Sequence, residues 1–137
     1  MTDPSSPTDA ATVVDPGLVE AIRGRADALR SRIAERTDCD VRIVCVTKGH
    51  PVAVAAAAFA AGFGDLGENY AQELRDKSTE LRDKSTELRD KSTELADGPR
   101  WHFIGRLQSN KVRLIAERVA LWQSIDHDRL AQQVARR

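Results

Sequence analysis

No surplus of either charge marks the sequence: Lys plus Arg number 21 and Asp plus Glu 21. The bulk electrostatic signal expected of a nucleic-acid binder or of an acidic tail is therefore absent. Cysteine is scarce. Cys39 and Cys45 make one pair at most, too few for a disulfide scaffold and without zinc-ligand spacing. No run of about 20 apolar residues exists to span a bilayer. The first dozen residues lack the charged start and apolar middle of a secretory signal, and are rich instead in Ser, Pro, Thr and Asp. They read as a disordered leader over residues 1–14, on a protein of the cytoplasm. No glycine-rich phosphate loop is found. What remains is ordinary globular composition, 41% apolar and 31% charged, with one domain expected over residues 15–137.

Periodicity divides that domain into alternating elements. Asp15-Pro16 is a helix start, a capping carboxylate before a proline at the first helical position. Leu18, Ile22, Ala26, Leu29 and Ile33 then recur at helical spacing to about Arg36. Val41 to Val46 is an apolar, β-branched run that suits a buried strand. The alanine-rich stretch from Val52 to Ala61 suits a packed helix, and a short strand is expected around Phe63 to Gly67. Asn69 is placed to cap a helix from Tyr70 to about Ala96, with Gln72 completing a capping box. Further strands are expected at Trp101 to Ile104 and Ala120 to Ile125. A helix from Ser109 to about Val119 lies between them, and Asp126 caps the last helix. Alternation of this kind implies α/β architecture, about four parallel strands joined by right-handed crossover helices.

The heptad Arg-Asp-Lys-Ser-Thr-Glu-Leu occurs three times unchanged, from Arg75, Arg82 and Arg89. The leucines supply one apolar seam position. The other falls on serines or lysines, so a coiled coil is not expected. Glu73–Lys77, Glu80–Lys84 and Glu87–Lys91 are favourable i,i+4 pairs on a solvated helix. The repeat reads as a helix extension over residues 75–95, a tandem duplication that fourteen added residues return nearly to phase. An interaction helix is the alternative.

In parallel α/β units, ligands bind at the C-terminal ends of the strands. Three segments place polar groups there. Lys48 directly follows a buried strand, where desolvation would favour the neutral amine that imine formation needs; the bland alternative is a surface lysine. Gly67-Glu68-Asn69-Tyr70 follows the second strand. Trp101-His102-Phe103-Ile104-Gly105-Arg106-Leu107-Gln108-Ser109-Asn110-Lys111 spans the third, with His102 alternatively a plain core histidine. In order and spelling these three segments resemble the pyridoxal phosphate homeostasis protein family, also called the proline synthase co-transcribed family. The likeness runs from about Val19 to the end and includes Ser124-Ile125-Asp126.

The resemblance implies a barrel related to the N-terminal domain of alanine racemase, of fold type III among pyridoxal phosphate proteins. Here it would be the N-terminal half of a (β/α)8 barrel, because a complete one needs about 250 residues. It implies pyridoxal 5′-phosphate as cofactor, held as a Schiff base by Lys48, with Asn69, His102 and Ser124 near it. It also implies a role in cofactor homeostasis without established turnover, and pyridoxal phosphate-dependent apoenzymes as partners. Many members carry a second lysine where this chain has Gly49-His50-Pro51. The later phosphate-binding segments of the family have no counterpart, so the chain reads as truncated, with self-association of the half barrel expected. A non-catalytic interaction protein, a non-functional fragment and a racemase-like enzyme are the competing readings. The last needs a second acid/base group that the sequence does not offer.

Overall fold

The computed structural model describes residues 14–88 and 98–136, the side chains of 84–88 excepted. The element order is α1 (Pro16–Ala34), β1 (Cys45–Val46), α2 (Val52–Ala60), β2 (Asp65–Glu68), α3 (Ala71–Leu88), β3 (Arg100–Phe103), α4 (Val112–Ile115), β4 (Val119–Trp122) and α5 (Asp128–Ala135). The four strands form one sheet in sequence order, every pair parallel. This is α/β architecture in the order of four successive units of a (β/α)8 barrel.

α1 begins as its sequence dictates: the Asp15 carboxylate accepts a hydrogen bond from the Gly17 amide, and Pro16 occupies the first turn. β1 is shorter than its apolar run. Cys45 pairs with Leu66, and β2 starts only one residue earlier, at Asp65. Residues 41–43 therefore run past the start of β2 without ladder partners.

Registers separate the two faces of the sheet, because partners in a parallel ladder point the same way. Leu66 pairs with Trp101, and Glu68 with Phe103. Trp101 and Phe103 join Leu66, Leu74, Leu81, Ile115 and Leu130 in the main core beneath the helices. Phe103 and Trp122 meet as tilted rings, 6.0 Å between centroids. On the opposite face Val46 pairs with Gly67, and Gly67 with His102. There Val46 and Leu121 are each about half exposed. β4 carries one extra residue where the register shifts beside Trp101 and His102.

Three local expectations need correction. The segment after Ser109 is a 3-10 turn, Ser109–Lys111, and then the single turn α4. It ends early because Val119 is drawn into the sheet opposite Trp101. The last helix is capped by His127, whose Nδ1 accepts from the Leu130 amide, rather than by Asp126. Asn69 and Gln72 form no capping box: the Gln72 amide donates to Asp76, and Asn69 Oδ1 is buried without a hydrogen-bond partner among the described residues. The expected end of the repeat helix at Ala96 lies outside the described residues.

Candidate functional site: the C-terminal rim of the sheet

Beyond β1, β3 and β4 the ladder continues by one backbone bond. The Thr47 amide donates to Gly67 O at 3.0 Å, the Ile104 amide to Glu68 O at 2.9 Å, and the Gln123 amide to Phe103 O at 3.0 Å. The residues that follow these pinned positions are Lys48, Gly105 and Ser124. Asn69 follows Glu68 at the end of β2. Three of the four candidate residues, Lys48, Asn69 and Ser124, thus leave the same edge of one parallel sheet, on β1, β2 and β4.

Lys48 opens a turn in which the His50 amide donates to Thr47 O and Gly49 takes a positive φ of 75°. Its side chain is exposed, so the desolvation expected from its place after an apolar run is not realised among the described residues. Asn69 is half-buried and pressed against Gly105. A Cβ at Gly105 would overlap Asn69 O and approach Asn69 Cα and Cβ to 2.7 Å, so only glycine fits this crossing of the β2 and β3 rims. The Ser124 hydroxyl donates to the carbonyl of the same Gly105. One backbone unit therefore locks Asn69 and Ser124 to each other.

His102 sits lower, within β3, and is 2% exposed. Gln123 Nε2 lies 2.9 Å from its Nδ1, and Asp65 Oδ1 lies 2.9 Å from its Nε2. An amide nitrogen only donates, so Nδ1 accepts and the Nε2 N–H donates a hydrogen bond to Asp65. Both ring nitrogens are committed, and the residue behaves as a satisfied core histidine linking β2, β3 and the end of β4.

Asp65 also takes a two-pronged hydrogen bond from Arg100, at 3.0 and 2.9 Å, with Arg42 at 3.8 Å. Burial pushes its carboxyl up. The bonds from Arg100 and His102, with the charges of Arg100 and Arg42, outweigh that and hold it below the usual carboxylate range. Burial raises the thiol of half-buried Cys45, which leaves it an inert packing group.

Sequence reasoning missed a second buried cluster. Glu68, fully buried, accepts from the Thr47 hydroxyl at 2.7 Å and from Lys77 Nζ at 2.5 Å, and Lys77 also donates to Thr47 O at 3.1 Å. Lys77 belongs to the first heptad copy. The expected Glu73 partner stands 3.8 Å away, but the lysine is buried rather than solvated. Only the proximity of Lys77 to the Gly-Glu-Asn segment hinted at this.

A hollow of about 250 Å³ lies where Asn69, Tyr70 and Gln72 face Arg106, Gln108 and Lys111. A roomier one, about 610 Å³, opens at the far end of the sheet beside Pro99, Arg118 and Val119, away from the rim residues. Among the described residues no group of three or more His, Cys, Asp or Glu could hold a metal ion, and no helix is long and apolar enough to cross a membrane.

No family model matches the chain. Curated relatives do. The pyridoxal phosphate homeostasis protein of Pseudomonas aeruginosa is 37% identical over 106 residues, 77% of this chain and 40% of the relative. That of Escherichia coli K12 is 34% identical over 110 residues, 80% of this chain and 42% of the relative. Among solved structures, PipY of Synechococcus elongatus with pyridoxal phosphate bound superposes with a TM-score of 0.65 at 36% identity. That match covers 84% of this chain and 47% of PipY. A protein of Bifidobacterium adolescentis described as unknown gives a TM-score of 0.73 at 30% identity, covering 90% of this chain and 52% of that one. The chain spans about half the length of the proteins it matches, or somewhat less. Over that span its sequence and its order of parallel β/α units are similar to theirs, and the chain belongs to the pyridoxal phosphate homeostasis protein family.

Proposed function

We propose that the chain binds pyridoxal 5′-phosphate at the rim of the sheet, as a Schiff base on Lys48, and serves cofactor homeostasis in the cytoplasm. The observation that carries this reading is the convergence of Lys48, Asn69 and Ser124 on one edge of the sheet, with Asn69 and Ser124 locked through Gly105.

The residues present fit the aldehyde-bearing end of the cofactor. Lys48 is an accessible primary amine, and Asn69 offers an acceptor, Oδ1, that no described residue satisfies. Lys48 would hold the cofactor through its side-chain nitrogen. When bound, the group supplies an aldehyde carbon and a conjugated ring that absorbs visible light. Asn69 would orient it by hydrogen bonding, and Ser124 would close the side at β4. His102, with both nitrogens engaged, would act from beneath by fixing Gln123, the residue before Ser124.

The role is carriage rather than turnover. Racemisation needs a second acid/base group facing the amine, and the buried histidine near the rim is already hydrogen-bonded to Asp65 and Gln123. Delivery to pyridoxal phosphate-dependent apoenzymes is the partnership this reading entails. The half-exposed Val46 and Leu121 favour self-association of the open face.

Titration with pyridoxal phosphate, followed by visible absorbance, tests the assignment. The parent and Lys111→Ala should develop the band of the lysine-bound cofactor, and Lys48→Ala should lose it. A band that survives in Lys48→Ala removes the assignment.

A further inference from the structure

Lys77 has no place in cofactor binding as proposed above, yet it is an ammonium only 5% exposed. Burying an ion pair is a poor route to stability, because desolvation consumes most of the attraction; apolar residues of similar volume often serve as well or better. The pair is also imperfect as a stabilising device. Glu68 Oε2 is buried with no hydrogen-bond partner among the described residues, a cost with no structural return.

The return is in what the pair holds. Thr47 is fixed at every polar atom: its amide on Gly67 O, its hydroxyl on Glu68, and its carbonyl under both the His50 amide and Lys77 Nζ. Lys48 is the next residue along the chain. Glu68, the other end of the pair, immediately precedes Asn69. One buried charge pair therefore sits one residue behind both rim groups, and α3 supplies the cation that joins β1 to β2.

We propose that Glu68 and Lys77 are positioning residues. By clamping Thr47 they fix the backbone from which Lys48 leaves β1, and they hold it in register with Asn69. The inference rests on the reading of Lys48 as the cofactor-holding lysine. It assigns the first heptad copy a place beneath the site rather than on a solvated helix face.

The test compares the parent chain with Lys77→Met, Lys77→Arg and Thr47→Val by residue-resolved amide exchange and by pyridoxal phosphate titration. In Lys77→Met the Thr47 and His50 amides should exchange on the order of tenfold faster, while the Ala61 and Gln123 amides keep parent rates. Cofactor affinity should fall by about tenfold, the scale at which supporting groups act on the site they orient. Lys77→Arg, which keeps the charge, should lie closer to the parent in both readings. Unchanged exchange at Thr47 and His50, or equal acceleration at all four amides, overturns the proposal; the second result would make the pair purely structural. Should Lys77→Met fail to fold, Thr47→Val carries the same comparison, and unaltered His50 exchange there overturns it equally. If the parent never forms a Lys48-dependent band, the function proposed above fails, and the exchange rates alone still decide the positioning role.

Discussion

At the residue scale, the rim is set by side chains whose partners lie far away in sequence. Asp65 is engaged by Arg100 and His102, 35 and 37 residues on. Its carboxyl is held below the usual value, so the stability it contributes has a definite sign with pH. That contribution is complete above the unfolded carboxylate value of about 3.9 and is lost as pH falls through the lower folded one. Asp65→Asn should therefore destabilise by on the order of 2 kcal/mol at neutral pH. Denaturant melts at stepped pH should show the gap to the parent narrowing below pH ~4; a gap independent of pH would refute the assignment. Gly105→Ala tests the crossing of the rims. Its Cβ has no room beside Asn69, so a loss of about 1–3 kcal/mol is expected from forced backbone shifts, with weakened cofactor binding as Asn69 moves. Calorimetry and titration on the same sample would check both. The places of Lys48 and Asn69 near strand ends were legible in the sequence because apolar runs precede them, whereas Ser124, inside an expected strand, was named only through the family resemblance. Thr47, Glu68 and Gln123 were not legible, since their bonds depend on inter-strand register, which periodicity does not encode.

At the element scale, the strand–helix alternation was readable because hydrophobic runs and helix spacing are local properties. Its failures have local causes too. β1 lost residues for want of ladder partners, and α4 lost them to β4. The repeat helix differed most. The first heptad copy is bound into the core through Leu81, fully buried, and through Lys77 and Ser78, each 5% exposed. Arg118 reaches across to Ser78 and Thr79 at 3.0 and 2.7 Å. A heptad pattern predicts a leucine seam, but identical copies conceal which one meets the sheet. Leu81→Ala should cost about 2–5 kcal/mol, as truncation of a buried leucine does, measured by chemical denaturation. A loss below 0.5 kcal/mol would mean that α3 is not docked as described.

At the scale of the whole molecule, four parallel β/α units present one edge on which separate sequence motifs meet. The motifs lie up to 76 positions apart, from Lys48 to Ser124, and only the order of the strands brings them to one rim. The family likeness was visible in those motifs before the fold was known. The exposure of Lys48 was not, because an apolar run before a residue does not reveal what covers the residue itself. The account stands on that amine being the group that captures the cofactor, among lysines at positions 48, 77, 84, 91 and 111. Borohydride reduction of the protein with pyridoxal phosphate, followed by peptide mapping, reads this directly. A single stable adduct on the Lys48 peptide is the predicted result; adducts spread over the repeat lysines and Lys111, or none at Lys48, would contradict it.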